Sequence, residues 1–304
     1  MKVLVTGGTN GMGKGVAKIL AGTDNQIHEI ILLCRSQKLG EATVKEFEAA
    51  TKNNKISFVL CDLAKLSDVR HAINEIQNNH QFLDGVFINA GLGYAANRVE
   101  TIDGMDPHFQ VNYLSQFMLA LNLLNLLENS KNGGRIIFNV TEGGTLFWDD
   151  LQMKKNWGYE NGIKQAMVAK RMFYHTLHES YRNVKGSKIS FIGFEIPKTV
   201  WTNQVNIIPV SMKVMATIMK FFGTFISIEK CGMIMSPLFT ESQEDSLKKS
   251  GKLITWKNNE FTEIKEDELA SNQELQDRLW KISLELCHDD KTTQIAERLY
   301  NFSK

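Results

Sequence analysis

The stretch TGGTNGMGKG at residues 6–15 constrains the fold more than any other part of the chain: it follows a strand-forming run, MKVLV, and leads into GVAKILA, which has helical spacing. Strand, tight turn and helix in that order make half of a βαβ unit. Glycine lets backbone approach a ligand closely, and a helix starting at the turn aims free N–H groups and a partial positive charge at it. A plain βα turn needs one or two glycines. Here Gly7, Gly8, Gly11, Gly13 and Gly15 fall within nine residues. That density predicts a seat for a pyrophosphate, built from Thr6, Gly7, Thr9, Asn10, Gly11, Met12 and Gly13.

Apolar runs recur at EIILLCR, ISFVLCDL, LDGVFINAG, GRIIFNV and KISFIGF. Between them lie VKEFEAATK, DVRHAINEIQNN, HFQVNYLSQFMLALNLLNLLENS and GIKQAMVAKRMFYHTLHESY, each readable as a helix with an apolar stripe. The strand runs are continuous rather than alternating, as expected of strands buried on both faces of a parallel sheet. The fold class is therefore α/β: a doubly wound parallel sheet of the Rossmann type, with ligands at the carboxyl ends of the strands. After Phe194 the pattern changes to a Met-rich stretch, a loop-rich region and a final helix near NQELQDRLWKISLEL. A chain of 304 residues with 43% hydrophobic content can bury one large core. One domain over residues 1–304 is expected, with residues 204–270 as a substrate lid and loop insertion within it.

Charge and cysteine usage exclude several classes of function. Lys plus Arg number 35 against 34 Asp plus Glu, so nothing points to nucleic acid or an acidic membrane as partner. Cys34, Cys61, Cys231 and Cys287 show no C-x-x-C spacing and read as buried reduced thiols. His175 and His178 share a helix face but have no convincing set of further ligands, so no metal site is expected. The first residues are already strand and turn, with no secretory signal, which makes the cytoplasm the expected location. Residues 206–228 are apolar, but Pro209, Lys213 and Lys220 interrupt them, so an amphipathic helix or lid is expected rather than a membrane span.

Two strand tips carry ligand signals of their own. The second ends in Cys34-Arg35-Ser36, a small neutral residue and a guanidinium where an acidic residue would bind the 2'-hydroxyl of NAD. Arg35 and Ser36 suit a 2'-phosphate, which favours NADP(H) over NAD(H). The third ends in Cys61-Asp62-Leu63, where the Asp62 carboxylate could accept from an adenine amino group or simply cap the next helix.

The spacing TG-x-x-x-G-x-G resembles the cofactor turn of the short-chain dehydrogenase/reductase family, and ordered motifs over roughly residues 1–203 extend the resemblance. INAG is similar to that family's N-N-A-G element, with Ile88 for the first Asn, and implies that Asn89, Ala90 and Gly91 border the cofactor. FQVNYLSQFMLA resembles the helix bearing the family's active-site Asn; the resemblance implies that Asn112 holds a water or a main-chain carbonyl in a proton relay. GRIIFNVTEGG resembles the strand that delivers a serine to the substrate carbonyl. Counting from Arg135 puts Thr141 there, which keeps the hydroxyl, whereas anchoring on Asn139-Val140 puts Glu142 there. IPKTVWTNQV is similar to the P-G-x-V-x-T element, with Lys198 where glycine is usual, and implies that Pro197, Val200 and Thr202 lie beside the nicotinamide carboxamide.

The family's Tyr-x-x-x-Lys pair departs most from expectation. Its chemistry needs a phenol to protonate a developing alkoxide and an ammonium that lowers the phenol's pKa while holding the nicotinamide ribose. In WGYENGIKQAMVAKRMF, Lys164 matches the lysine, but Tyr159 stands five residues before it and Glu160 occupies the i−4 place. A five-residue step swings the phenol about 140° from the lysine, against about 40° for four. Three readings stay open: a one-residue bulge near Gly162 that restores Tyr159, Glu160 as the proton donor, or a site that binds cofactor without reduction.

SGKLITW, ELQDRLWKISLEL and FWDDLQ resemble the subgroup that includes retinol dehydrogenases and protochlorophyllide reductases. Met212, Met215, Met219, Met233 and Met235, with Phe221, Phe222 and Phe225, make an adaptable apolar wall; it reads as a lid for a lipophilic small molecule, or as a core helix or a subunit contact. The expected function is an NADPH-dependent oxidoreductase moving hydride to a carbonyl or an activated C=C bond. The alternative is an NADP(H)-binding protein without turnover, serving as sensor or assembly partner. The resemblance also implies a homodimer or homotetramer through the helices at 109–129 and 160–182.

Overall fold

Residues 1–22, 28–182, 184, 186–202 and 208–302 are described by the computed structural model of the chain. Within them the elements run β1 (Lys2–Thr6), α1 (Gly11–Ala21), β2 (Glu29–Cys34), α2 (Gln37–Thr51), β3 (Ile56–Leu60), α3 (Leu66–Asn79) and β4 (Gly85–Ile88). A short turn of helix (Pro107–Phe109) and a π-helical turn (Gln110–Leu114) lead into α4 (Ser115–Glu128). Then come β5 (Arg135–Asn139), α5 (Tyr159–Arg182), β6 (Ser190–Glu195) and β7 (Thr199–Val200). The last third holds α6 (Val210–Phe221), β8 (Phe225–Ile226), α7 (Ile228–Met235), α8 (Gln243–Lys249), β9 (Leu253–Lys257), β10 (Glu260–Ile264), α9 (Gln273–Cys287) and α10 (Asp290–Phe302).

Eight strands form one sheet in the order β3-β2-β1-β4-β5-β6-β9-β10, parallel throughout except for the β9–β10 pair. β1 pairs with β2 on one side and β4 on the other, so the winding reverses there and the loops after β1 and β4 part to leave a crevice. Two strands of this sheet lie inside the 204–270 stretch expected as a lid and loop insertion. Asn258 and Asn259 have φ of 53° and 63°, the left-handed pair that closes a two-residue hairpin, and asparagine tolerates it better than most residues. Residues 203–207 of that stretch lie outside the described residues.

Strand alternation splits the interior into two cores. Leu4, Ile31, Val86, Ile136 and Phe138 face a layer containing α3, α4, α5, α9 and α10. Val3, Val5, Ile30, Leu32, Phe87 and Ile192 face α1, α2 and α7. The single helix read across 109–129 is instead wound loosely at Gln110–Leu114 before α4 begins. A π turn displaces carbonyls from their usual donors, and Gln116 compensates: its Nε2 lies 2.9 Å from Val111 O and 3.1 Å from Asn112 O.

Candidate active site

The glycines after β1 serve separate purposes. Gly7 has φ of +68° and donates its N–H to Leu33 O at 3.1 Å, and a Cβ there would lie 3.1 Å from the Ala90 Cα. A Cβ on Gly13 would lie 2.7 Å from Gly7 O, so the loop can fold against the start of α1 only without a side chain. Asn10 caps α1, its Oδ1 accepting from Gly11 N at 2.9 Å. Gly15 belongs to packing: a Cβ there would meet Ile228 O at 2.2 Å, where α1 crosses α7. Thr202 reaches back over this loop, its Cγ2 3.1 Å from where a Gly11 Cβ would stand.

Thr6 is fully buried, so its side chain ties loops together behind the crevice rather than facing a ligand. Its hydroxyl accepts from Asn89 N (2.8 Å) and Ala90 N (2.9 Å) and donates to Phe87 O (3.0 Å). Asn89 Nδ2 donates to Thr6 O at 3.0 Å, and Gln116 Nε2 to Ala90 O at 2.7 Å. Asn112 clamps the next turn: its Oδ1 accepts from Leu92 N at 2.6 Å and its Nδ2 donates to Leu92 O at 3.1 Å. Gly91 lies against it, a Cβ there meeting Asn112 Oδ1 at 3.3 Å. The crevice floor is thus held by buried hydrogen bonds rather than by packing alone.

At the tip of β2, Arg35 is exposed and makes no ion pair among the described residues. Ser36 is the N-cap of α2, accepting from Leu39 N at 3.4 Å. At the tip of β3, Asp62 Oδ1 accepts from Ala64 N at 3.0 Å within its own turn, and Leu63 O accepts from the Ser115 hydroxyl at 2.6 Å. Asp62 therefore does the local turn-closing work of an Asx residue.

Thr141 is exposed just past β5, and the loop it opens is pinned twice: Glu142 N donates to Glu195 Oε2 at 2.9 Å, and Arg171 Nη2 to Gly143 O at 2.7 Å. Gly144 presses on α5, where a Cβ would stand 3.0 Å from Lys164 O. The fold thus brings the Thr141 loop and the Lys164 turn together. Pro197 is exposed between β6 and β7, and Val200 pairs with Ile226 in the small β7–β8 sheet.

Tyr159 opens α5, and the first turn is regular, Gly162 N donating to Gly158 O at 2.9 Å. Of the three readings left open, the one-residue bulge near Gly162 is not formed. Gly162 is needed for another reason: a Cβ there would lie 3.0 Å from His108 Nδ1, so α5 passes the buried imidazole only at glycine. The Tyr159 ring packs against Tyr94 with centroids 5.0 Å apart, and its hydroxyl donates to Glu160 Oε1 at 3.1 Å. Partial burial and then the Glu160 carboxylate raise this phenol above its ordinary pKa, the opposite of what a proton donor needs. Lys164 is exposed on the same helix.

Three features were not read from the sequence. Lys170 is 1% exposed, donates from Nζ to Asn139 O at 2.9 Å, and burial lowers its pKa from 10.5 to about 7. Its place in the apolar stripe of QAMVAKRMFY was the available signal. Beside it, buried Arg171 pairs with Glu266 and with Asp267 at 2.7 Å. Burial alone would raise the Glu266 carboxyl; the His175 and Arg171 contacts outweigh it and bring the pKa to about 2. Finally, Asp150 organises the loop before α5, accepting from Lys154, Lys155 and Asn156 N at 2.7, 2.8 and 2.8 Å.

Residues 1–147 match the family model described as short chain dehydrogenase. Human polyprenol dehydrogenase is 30% identical over 179 residues, 57% of this chain and 53% of that protein, so the chain spans about half the length of this relative. Mouse retinol dehydrogenase 12 is 25% identical over 289 residues, 93% of this chain and 85% of that protein. Among solved structures, an NADPH-bound carbonyl reductase from chicken fatty liver shares the fold at a TM-score of 0.60 and 18% identity, covering 84% of this chain and 95% of that one. An uncharacterized protein from Mycobacterium paratuberculosis does so at 0.67 and 18%, covering 94% of this chain and 92% of that one.

Proposed function

Because this chain belongs to the short-chain dehydrogenase/reductase family, we propose that it is an NADPH-dependent oxidoreductase that moves hydride to a carbonyl or an activated C=C bond of a lipophilic small molecule. The observation that carries the reading is the crevice at the β1–β4 reversal. There, Gly7 and Gly13 leave a backbone cradle that side chains would fill, and the exposed Arg35 guanidinium, without an ion pair among the described residues, stands at the neighbouring strand tip. Those features fit a dinucleotide: the cradle suits the diphosphate, and Arg35 a 2'-phosphate. When bound, the reduced nicotinamide supplies the hydride.

The chain's own groups would do the rest. The turn of Asn89, Ala90 and Gly91 borders the cofactor, and Thr202 covers the glycine loop. Thr141 presents a hydroxyl to a substrate oxygen beside the Lys164 turn. Lys164 holds the ribose, and its ammonium is placed by α5 rather than by an ion pair among the described residues. A lipophilic substrate agrees with the names of the retinol and polyprenol dehydrogenases that the chain resembles. Reduction of an activated alkene asks less of a phenol than carbonyl reduction does, so the Tyr159 hydroxyl engaged by Glu160 favours that branch.

The same hydroxyl favours a second reading, an NADP(H)-binding protein without turnover. Oxidation of NADPH with a panel of lipophilic enones and ketones separates the two. Turnover that falls at least tenfold in Lys164→Ala, with a smaller effect of Tyr159→Phe, is the expected result, of the size typical for one positioned group. Tight NADPH binding with no oxidation by any acceptor leaves the second reading. Arg35→Ala is expected to cut the preference for NADPH over NADH by roughly tenfold to a hundredfold, the worth of a charged hydrogen-bonded contact. An unchanged preference in parallel titrations removes Arg35 from the cofactor site.

A further inference from the structure

α4 is apolar on every side, which a helix resting on one face of a sheet does not need. One stripe suffices for that contact, and a helix apolar all round has to be covered from outside as well. In SQFMLALNLLNLLE only Asn125 and Glu128 are exposed. The outer cover comes from the end of the same chain, where α9 and α10 both pack across α4 and α5. The Trp280 ring centroid lies 5.3 Å from that of Phe117 on α4 and 6.1 Å from that of Phe173 on α5.

Buried polar pairs key this seam. The Tyr113 hydroxyl lies 2.7 Å from Ser283 Oγ, and Asn122 Nδ2 donates to Thr292 Oγ1 at 2.8 Å; all four residues are buried. Any other helix laid there would leave the Tyr113 hydroxyl and the Asn122 amide to be satisfied anew, so the pairs select α9 and α10 as the cover. At the turn between the two helices, Arg70 of α3 donates to Asp289 Oδ1, Cys287 O and His288 O at 3.1, 2.9 and 3.1 Å.

The outer side of the added layer is built for water. On α9, Gln276, Leu279, Trp280, Ser283 and Cys287 recur at helical spacing and are buried. Glu274, Arg278, Lys281 and Glu285 recur on the other side and are exposed. Charges of both signs are what the core of a subunit contact lacks.

We propose that α9 and α10 occupy, within each chain, the face through which a second copy would pack on α4 and α5, so the protein does not associate through those helices. The homodimer or homotetramer that the resemblance implied at 109–129 and 160–182 is thereby closed off. One chain then supplies what a neighbour would have to: the Arg278 guanidinium of α9 stands 4.4 Å from the Trp148 ring centroid, steadying the loop that leads into Tyr159. None of this rests on the redox reading.

Two measurements on the full chain test it. Lys291 Nζ of α10 donates to Gln77 Oε1 of α3 at 2.5 Å on the surface, and the four native cysteines are buried. A short bismaleimide added to the double variant Gln77→Cys, Lys291→Cys is therefore expected to join α10 to α3 of the same chain, and the product to run at 34.5 kDa on a denaturing gel. Failure to link, or a linked band of twice that mass, overturns the proposal. Hydrogen exchange along α9 and α10 of the parent protein is expected to be the same in dilute solution and at about 100 μM, where a dimer of micromolar Kd would be nearly full. Protection there that grows about twofold or more with concentration also overturns it, because a second copy would then be packing on this layer.

Discussion

Lys170→Met is expected to be more stable than the parent protein near neutral pH, by about 3 kcal/mol, and to lose the parent's pH dependence. The parent amine titrates at about 7 when folded and at 10.5 when free. Below pH 7 both folded and unfolded chains carry the proton, and the full penalty of the buried ammonium is present. Between about 7 and 10.5 only the unfolded chain binds it, so stability rises with pH there; above that range the penalty is gone. The gap corresponds to about 5 kcal/mol in full and about 4 kcal/mol at pH 7, where the folded amine is half-protonated, and about 1 kcal/mol is subtracted for the bond to Asn139 O that methionine cannot make. Urea unfolding at pH 6, 8 and 10 measures this. Parallel pH profiles for the two proteins would show that the amine is not the buried, proton-poor group described here.

Gly15→Ala should do the reverse and destabilise the chain by about 3 kcal/mol. Alanine is the better helix former by about 1 kcal/mol, and in an exposed helix it would win. Here its Cβ would stand 2.2 Å from the Ile228 carbonyl, and Gly232 approaches from the same side, where a Cβ would lie 2.3 Å from Gly15 O. Backbone faces backbone, so no side chain can rotate away; α7 must move off α1, carrying Cys231, Ile234 and Met235 out of the second core. For a domain of this size a fall in melting temperature of roughly 6–12 °C is expected. An unchanged melting temperature would mean that the two helices are not in contact at these glycines.

The parallel sheet was legible because its first six strands are apolar runs bounded by turns, buried on both faces in all but β3, which lies at the edge and exposes Ser57 and Leu60. β9 and β10 were not, because LITWK and EFTEI mix apolar and polar residues at the end of the sheet, β10 as its partly exposed edge and β9 between β10 and β6, although the Asn258-Asn259 pair between them was a hairpin signal. The glycine loop was legible as a tight strand-to-helix turn, but not the purpose of Gly15, since a glycine spaced for a ligand and one spaced for a crossing helix look alike along the chain. Asn112 was singled out for a main-chain or water contact, and the structure gives its amide to the backbone of Leu92. Tyr159 and Lys164 were placed correctly on one helix. Whether the chain would bulge between them was beyond pattern reading: the answer depended on His108, a residue 54 positions before Gly162 that occupies the space beside it. Lys170 and Arg171 escaped notice because a cation in an apolar stripe becomes meaningful only once its acceptors, Asn139 O and Glu266, are known.

Arg171 has one further consequence, for the order in which the protein can mature during synthesis. Its guanidinium holds the Thr141 loop through Gly143 O, yet its counter-charges, Glu266 and Asp267, are made about a hundred residues later. A nascent chain that has just emerged through β6 can assemble the glycine cradle, but it would have to bury an uncompensated cation to set that loop. The glycine turn can therefore form while the ribosome is still at work, and the Thr141 loop is fixed only once the carboxyl-terminal third arrives.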